Sequence, residues 1–226
     1  MPFRILFVAA TPVEAEAINK IRGNQVTREG FRIAGFEMSS LVAGVGSAST
    51  SWEIQKWISS NNKPDLAINL GIAGSYRDEI RIGDVVMPLT DCFADAGIED
   101  GNNFLTLSEA GLSSGSEFPF RGGVINAHKE YIELLGEIVK PVRAITVNTA
   151  TGSEATRNKL VAKFNPDIET MEGATFFYIC SREKIPFLAL RAVSNRVEVR
   201  NKDKWDIPLA LSSLAEKLNE VILTLM

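Results

Sequence analysis

The stretch from Ile168 to Arg196, IETMEGATFFYICSREKIPFLALRAVSNR, constrains the fold more than any other part of the chain. A short apolar lead-in meets a Met171-Glu172-Gly173 turn, a helix-length amphipathic run follows, and PFLALRAVS then reads as a buried strand with Asn195 just past its end. In a helix-to-strand unit of this kind, a carboxylate at the helix start and an amide at the carboxyl end of the strand face a crevice rather than the core. Small polar ligands are held in such crevices.

The amino-terminal end repeats the logic. Residues 3–10 (FRILFVAA) form a continuous apolar run, as a strand buried on both faces does, and Thr11-Pro12-Val13-Glu14 starts a helix. Thr11 suits the N-cap, Pro12 the first helical position and Glu14 the reciprocal position of a capping box. That explains Glu14 structurally, yet a carboxylate in this first turn also stands at the mouth of the sheet.

Strand-like runs follow at residues 25–34 and 36–43, and Gly44-Val45-Gly46-Ser47 then leads into a helix. This turn lacks the third glycine of a dinucleotide fingerprint; it is either a tight turn or a set of backbone N–H donors for an anion. DLAINLG reads as a buried strand ending in Gly71-Ile72-Ala73-Gly74, where the glycines either turn the chain or let a ligand approach the backbone. After the strand GDVVMPLT, residues 91–120 show no periodicity and read as a lid or subunit-contact loop, with Phe104, Phe118, Pro119 and Phe120 as its apolar teeth. A short strand at 121–126 precedes a helix over 127–139 with Ile132, Leu135 and Val139 on one face. Strand AITVNTA ends at the turn Thr149 to Ser153, and a helix from Glu154 to Phe164 follows. Asp206-Ile207-Pro208 caps a final helix whose Leu211, Leu214, Leu218, Ile222 and Leu225 form a core-facing stripe.

Strands alternating with helices predict an α/β fold: one domain over residues 1–226, with a central mixed sheet flanked by helices. No repeat or linker marks a boundary. A net charge of −4 gives no general electrostatic reason to bind nucleic acid or an anionic membrane, and no apolar run is long enough to span a bilayer. Cys92 and Cys180 are far apart, and the single His128 has no ligand-type neighbours, so neither a disulfide framework nor a metal site is expected. His128 reads as a surface or capping residue. A reduced, cytoplasmic setting is the default.

AATPVEAEA after the first strand, INLGIAGS in the middle, and ETMEGATFFYIC followed by PFLALRAVSNR together resemble the purine nucleoside phosphorylase and nucleosidase superfamily over nearly the whole chain. Within it the chain looks most like the futalosine hydrolases of menaquinone biosynthesis, and next like the methylthioadenosine/S-adenosylhomocysteine nucleosidases. The resemblance implies a purine nucleoside as substrate, no cofactor, and a homodimer or larger homo-oligomer in which the 91–120 loop reaches the neighbouring site. It implies that Glu172 binds both ribose hydroxyls, which two carboxylate oxygens can do, and that Met171 packs on the sugar. Glu14 matches the carboxylate that holds and activates the attacking water. Gly71, Ile72, Ala73 and Gly74 match a substrate-facing turn; Ile72 stands where phosphorylases of this type carry a hydroxyl, which favours hydrolysis over phosphorolysis.

Asn195 departs from the pattern. Adenine-cleaving relatives carry an aspartate at the matching place, whereas a carboxamide can donate to the carbonyl of a 6-oxopurine and to its imidazole nitrogen. The departure implies hypoxanthine or guanine as the leaving base, with Asn195 assisting by hydrogen bonding. The turn holding Thr149 and Gly152 matches one wall of the base pocket but lacks the aromatic of the adenine enzymes. Phe176, or a phenylalanine of the 104–120 segment, is expected to stack on the base in its place.

Overall fold

The computed structural model describes residues 2–23, 25–27, 30–33, 35–101 and 103–226. The first part of the chain supplies β1 (Phe3–Ala9), α1 (Pro12–Asn19), β2 (Gln25–Thr27), β3 (Gly30–Ile33), β4 (Phe36–Val42), α2 (Ser47–Ser60), β5 (Leu66–Ser75) and β6 (Val85–Asp91). A hairpin of β7 (Gly97–Asp100) and β8 (Asn103–Thr106) follows, then β9 (Phe120–Arg121), β10 (Val124–Asn126), α3 (Lys129–Leu135) and β11 (Lys140–Thr146). The chain closes with α4 (Glu154–Phe164), β12 (Ile168–Thr170), α5 (Gly173–Arg182), β13 (Phe187–Arg196) and α6 (Ile207–Leu225).

Among the described residues, eleven strands form one mixed sheet in the order β2-β3-β4-β1-β5-β12-β11-β6-β10-β9, with β13 paired to both β5 and β6. The pairings of β5, β12, β11, β6 and β13 therefore run in a closed circuit, and the middle of the sheet rolls up on itself. Ala73, Val86, Val142, Ala144 and Val193 from these strands pack as one cluster of mostly small residues, as a tight curl requires.

The continuous apolar strands have the expected cause. Ile5 and Phe7 of β1, with Leu188 and Leu190 of β13, pack with Leu214 and Leu218 of α6 and Ala17 and Ile18 of α1. Leu6 and Val8, with Phe187 and Ala189, pack instead with Ile54 of α2 and Phe176 and Phe177 of α5. Both faces are covered, so neither strand shows a polar alternation. No described helix is long and apolar enough to cross a membrane.

Several boundaries differ from the sequence reading. The run at 25–34 is split between β2 and β3, and its residues 28, 29 and 34 lie outside the described set. Gly71 to Gly74 do not end β5, which continues to Ser75 because β12 and β13 both pair with its last residues. Asn195 lies within β13 rather than past it, beyond a register shift between Val193 and Asn195. The segment 91–120 is not patternless: Asp91 closes β6, and β7 and β8 pair in four-residue strands too short to show a period. That hairpin docks on α4, where Lys163 Nζ donates to the carbonyl of Phe104 at 2.8 Å and the Phe104 and Phe164 rings stand 6.5 Å apart. The strand expected at 121–126 is a hairpin, β9 and β10, and the helix expected at 127–139 ends at Leu135. His128 is its N-cap, and its ring meets Phe187 edge-on at 5.3 Å.

Candidate active site

The carboxyl ends of β1, β5 and β13, the start of α5 and the loop after β11 border a cavity of about 380 Å3. Glu14, Ile72, Ala73, Gly74, Met171, Glu172 and Asn195 all line it. Residues 14, 172 and 195, far apart in sequence, thus share one wall system. Val13, Val45, Trp205, Ile207 and Leu211 give the cavity an apolar flank. A second cavity of about 320 Å3 adjoins it, sharing Ala150, Thr151, Asn195 and Trp205.

The capping box at Thr11 is complete, with the threonine side chain and the Glu14 carboxylate bonded reciprocally to each other's backbone. Glu14 Oε2 accepts from the Thr11 N–H at 2.9 Å and from its hydroxyl at 2.7 Å, while Oε1 accepts from the Ile72 N–H at 3.1 Å. A carboxylate offers about four acceptor positions, so three bonds fix its orientation and leave room for one more donor. Structural and chemical roles are compatible here, since the cap itself aims the side chain at the cavity.

Glu172 is the N-cap residue of α5, yet its side chain makes no capping bond there. Oε1 instead accepts from the backbone N–H of Gly46 at 2.8 Å. Gly46, at φ 85°, begins α2, so the glycine turn is tight and also presents its N–H to an anion, the protein's own carboxylate. Burial raises the Glu172 carboxyl above its ordinary value, against the lowering effect of the Gly46 N–H and of Arg191.

Arg191, 2% exposed, lies behind this wall. Its guanidinium donates to the Asn69 side-chain oxygen, and its charge is felt by Glu172, Glu14 and Asp91. Burial lowers its pKa, and those three acids oppose the shift. Gly71 explains how they fit: a Cβ there would stand 2.9 Å from Glu14 Oε1 and 3.2 Å from Arg191 Nη1.

Four expected contact residues fall elsewhere. Gly71 sits behind Glu14 and does not line the main cavity. Thr149 borders only the adjoining cavity, and Gly152 borders neither, its carbonyl facing the Arg200 N–H. Phe176 is fully buried against Phe177 and Phe187, because the amphipathic face of α5 turns its aromatics into the core. Other cavity residues were not singled out in sequence: Glu169, Thr170, Trp205 and Leu211, the last diverted from the core stripe of α6. An acid in the lead-in Ile168-Glu169-Thr170, two residues before Met171, was the signal available for it. Among the described residues no cluster of three His, Cys, Asp or Glu side chains is arranged to hold a metal.

A rolled mixed sheet flanked by helices, with a largely apolar cavity that holds a few acids and an amide at its strand ends, defines the class of protein. The family model of the phosphorylase superfamily matches residues 1–225, and the chain belongs to that superfamily. It is 28% identical to a futalosine hydrolase of Streptomyces coelicolor, over 96% of this chain and 94% of that protein. It is 27% identical to a 5'-methylthioadenosine/S-adenosylhomocysteine nucleosidase of Buchnera aphidicola, over 83% and 79%. Among solved structures, the native futalosine hydrolase of Helicobacter pylori superposes with a TM-score of 0.81 at 18% identity, covering 98% of both chains.

Proposed function

We propose that this chain, acting as one domain over residues 1–226, hydrolyses the N-ribosidic bond of a 6-oxopurine nucleoside, and that futalosine is its substrate. Hypoxanthine and dehypoxanthine futalosine are then the products, in a cytoplasmic step of menaquinone biosynthesis, with a homodimer or larger homo-oligomer as the working form. The observation that carries the reading is the convergence of Glu14, Glu172 and Asn195 on one cavity.

Glu172 accepts from the ribose hydroxyls through the carboxylate oxygen that Gly46 leaves free, and Met171 packs on the sugar. Glu14 orients a water with its remaining acceptor position and takes its proton as the water oxygen bonds to the anomeric carbon. The bond from that carbon to the purine nitrogen breaks, and its electron pair leaves with the base. Asn195 donates to the departing base. Arg191 steadies both carboxylates from behind, and its enclosure within the core leaves it no face for an incoming phosphate, which favours water as the nucleophile.

Purified protein incubated with futalosine, inosine and methylthioadenosine, with and without phosphate, tests this by base release. Hypoxanthine release from futalosine without phosphate is expected. Faster adenine release from methylthioadenosine, or a requirement for phosphate, refutes the reading in favour of the nucleosidase or phosphorylase alternative.

A further inference from the structure

Sheet register carries one more residue to the base. Gly74 of β5 is paired on one side with Asn195 of β13 and on the other with Glu169 of β12, so the three stand in one row across the sheet. Partners in a row present their side chains to the same face. Gly74 has none, and a Cβ there would stand 3.2 Å from Asn195 Nδ2, 3.5 Å from Glu169 Cγ and 2.8 Å from Val197 Cγ2. The carboxamide and the carboxylate therefore flank a bare strip of backbone, and both line the cavity.

Glu169 is 7% exposed and held from behind. Oε2 accepts from the Tyr76 hydroxyl at 2.6 Å, and Oε1 accepts from the Thr151 N–H at 2.9 Å. Among the described residues no cationic side chain is bonded to it, and each oxygen keeps acceptor capacity toward the cavity. A fixed, enclosed acceptor beside a carboxamide complements one kind of purine edge. A 6-oxopurine carries a ring N–H at position 1 next to its carbonyl. A 6-aminopurine has a bare ring nitrogen there, which would face the carboxylate acceptor to acceptor.

We propose that Glu169 is the specificity-determining residue for the base, accepting a hydrogen bond from the ring N–H at position 1 of a 6-oxopurine while Asn195 serves the neighbouring carbonyl. This rests on the purine-nucleoside reading above, but its test needs no turnover. Calorimetry measures binding of hypoxanthine, 1-methylhypoxanthine and adenine to the wild-type protein, Glu169→Gln and Glu169→Ala, with thermal melts to confirm folding. Hypoxanthine is expected to bind wild type about 10–100-fold tighter than 1-methylhypoxanthine or adenine, as loss of a hydrogen bond to a charged group implies. The methylation penalty should shrink to a few fold in Glu169→Ala. Glu169→Gln, which offers an amide donor, should narrow the preference for hypoxanthine over adenine at least tenfold. Tyr76→Phe, which loosens the carboxylate but keeps it, should narrow it less. An equal methylation penalty in wild type and Glu169→Ala overturns the proposal, as does failure of the wild type to bind hypoxanthine. If hypoxanthine binds as described but no nucleoside is cleaved, the hydrolase reading falls and this one stands.

Discussion

The carboxylate of Glu172 accepts a hydrogen bond from the backbone N–H of Gly46, 126 residues earlier in the chain, at 2.8 Å. This contact ties the start of α5 to the start of α2 and occupies Oε1 of the carboxylate. Both helix starts present their positive dipole ends to the acid, which offsets part of the cost of its burial. Replacing Glu172 with alanine should orphan the Gly46 N–H at a cost of about 1–3 kcal/mol in stability. Nucleoside binding and turnover should be lost together, and calorimetry beside denaturant unfolding checks both.

Glu14→Gln separates chemistry from binding. Turnover should fall by about 10²–10⁴, the usual contribution of a general base, while substrate affinity stays within a few fold. One amide oxygen cannot replace two carboxylate oxygens that accept from Thr11 and Ile72, so an N–H is left facing a donor. A stability loss of about 1–2 kcal/mol should accompany the change. Turnover within a few fold of the parent enzyme would remove Glu14 as the water base.

Gly71→Ala should harm activity more than stability. The new methyl meets Glu14 Oε1 and Arg191 Nη1, both far ends of flexible side chains, so the fold can adjust. The displaced carboxylate then holds water off line, and a loss of about 10²-fold in kcat is expected for a displacement near 1 Å. Unchanged kcat would show that Glu14 need not sit where the structure puts it.

Asn195→Asp should lower activity on 6-oxo nucleosides by at least about tenfold, because an aspartate would face the substrate carbonyl and lose a donor. Base release from inosine and futalosine measures it. Undiminished turnover on both would break the link between the carboxamide and the base.

Stability should depend on pH through Asp91. Burial pushes its carboxyl from 3.8 up to about 7, against the opposing effects of Thr146, Arg191 and the Cys92 N–H. An acid that holds its proton more tightly folded than unfolded contributes stability that is complete below pH 3.8 and lost as pH rises through about 7. Glu172, also raised, acts in the same direction, so the difference between wild type and Asp91→Asn is the useful quantity. The wild type should lose roughly 3–5 kcal/mol relative to the variant between pH 4 and 8. Parallel stability curves for the two proteins would contradict the raised value.

Much of the local architecture was legible in the residues. Thr11 and Asp206 cap the helices where expected, and α4 runs from Glu154 to Phe164 as read, with Ser153 at the end of the preceding turn serving as its N-cap. Caps, strand periods and helix stripes depend on neighbours a few residues away, so the chain displays them openly. Very short strands are another matter: β7, β8, β9 and β10 give too few positions for any period to show.

The candidate site divides along the same line. The Met171-Glu172 pair and the acid at position 14 were recognisable as residue types in local patterns, and sequence alone determined that such groups exist at helix starts and a strand end. Which of them meet was decided by tertiary structure. Phe176 went to the core because its neighbours on α5 define a buried face, and Glu169 joined Asn195 because both strands pair with β5 at Gly74. Pairing register between strands distant in sequence is fixed by the packing of the whole sheet, and no short stretch of chain contains it.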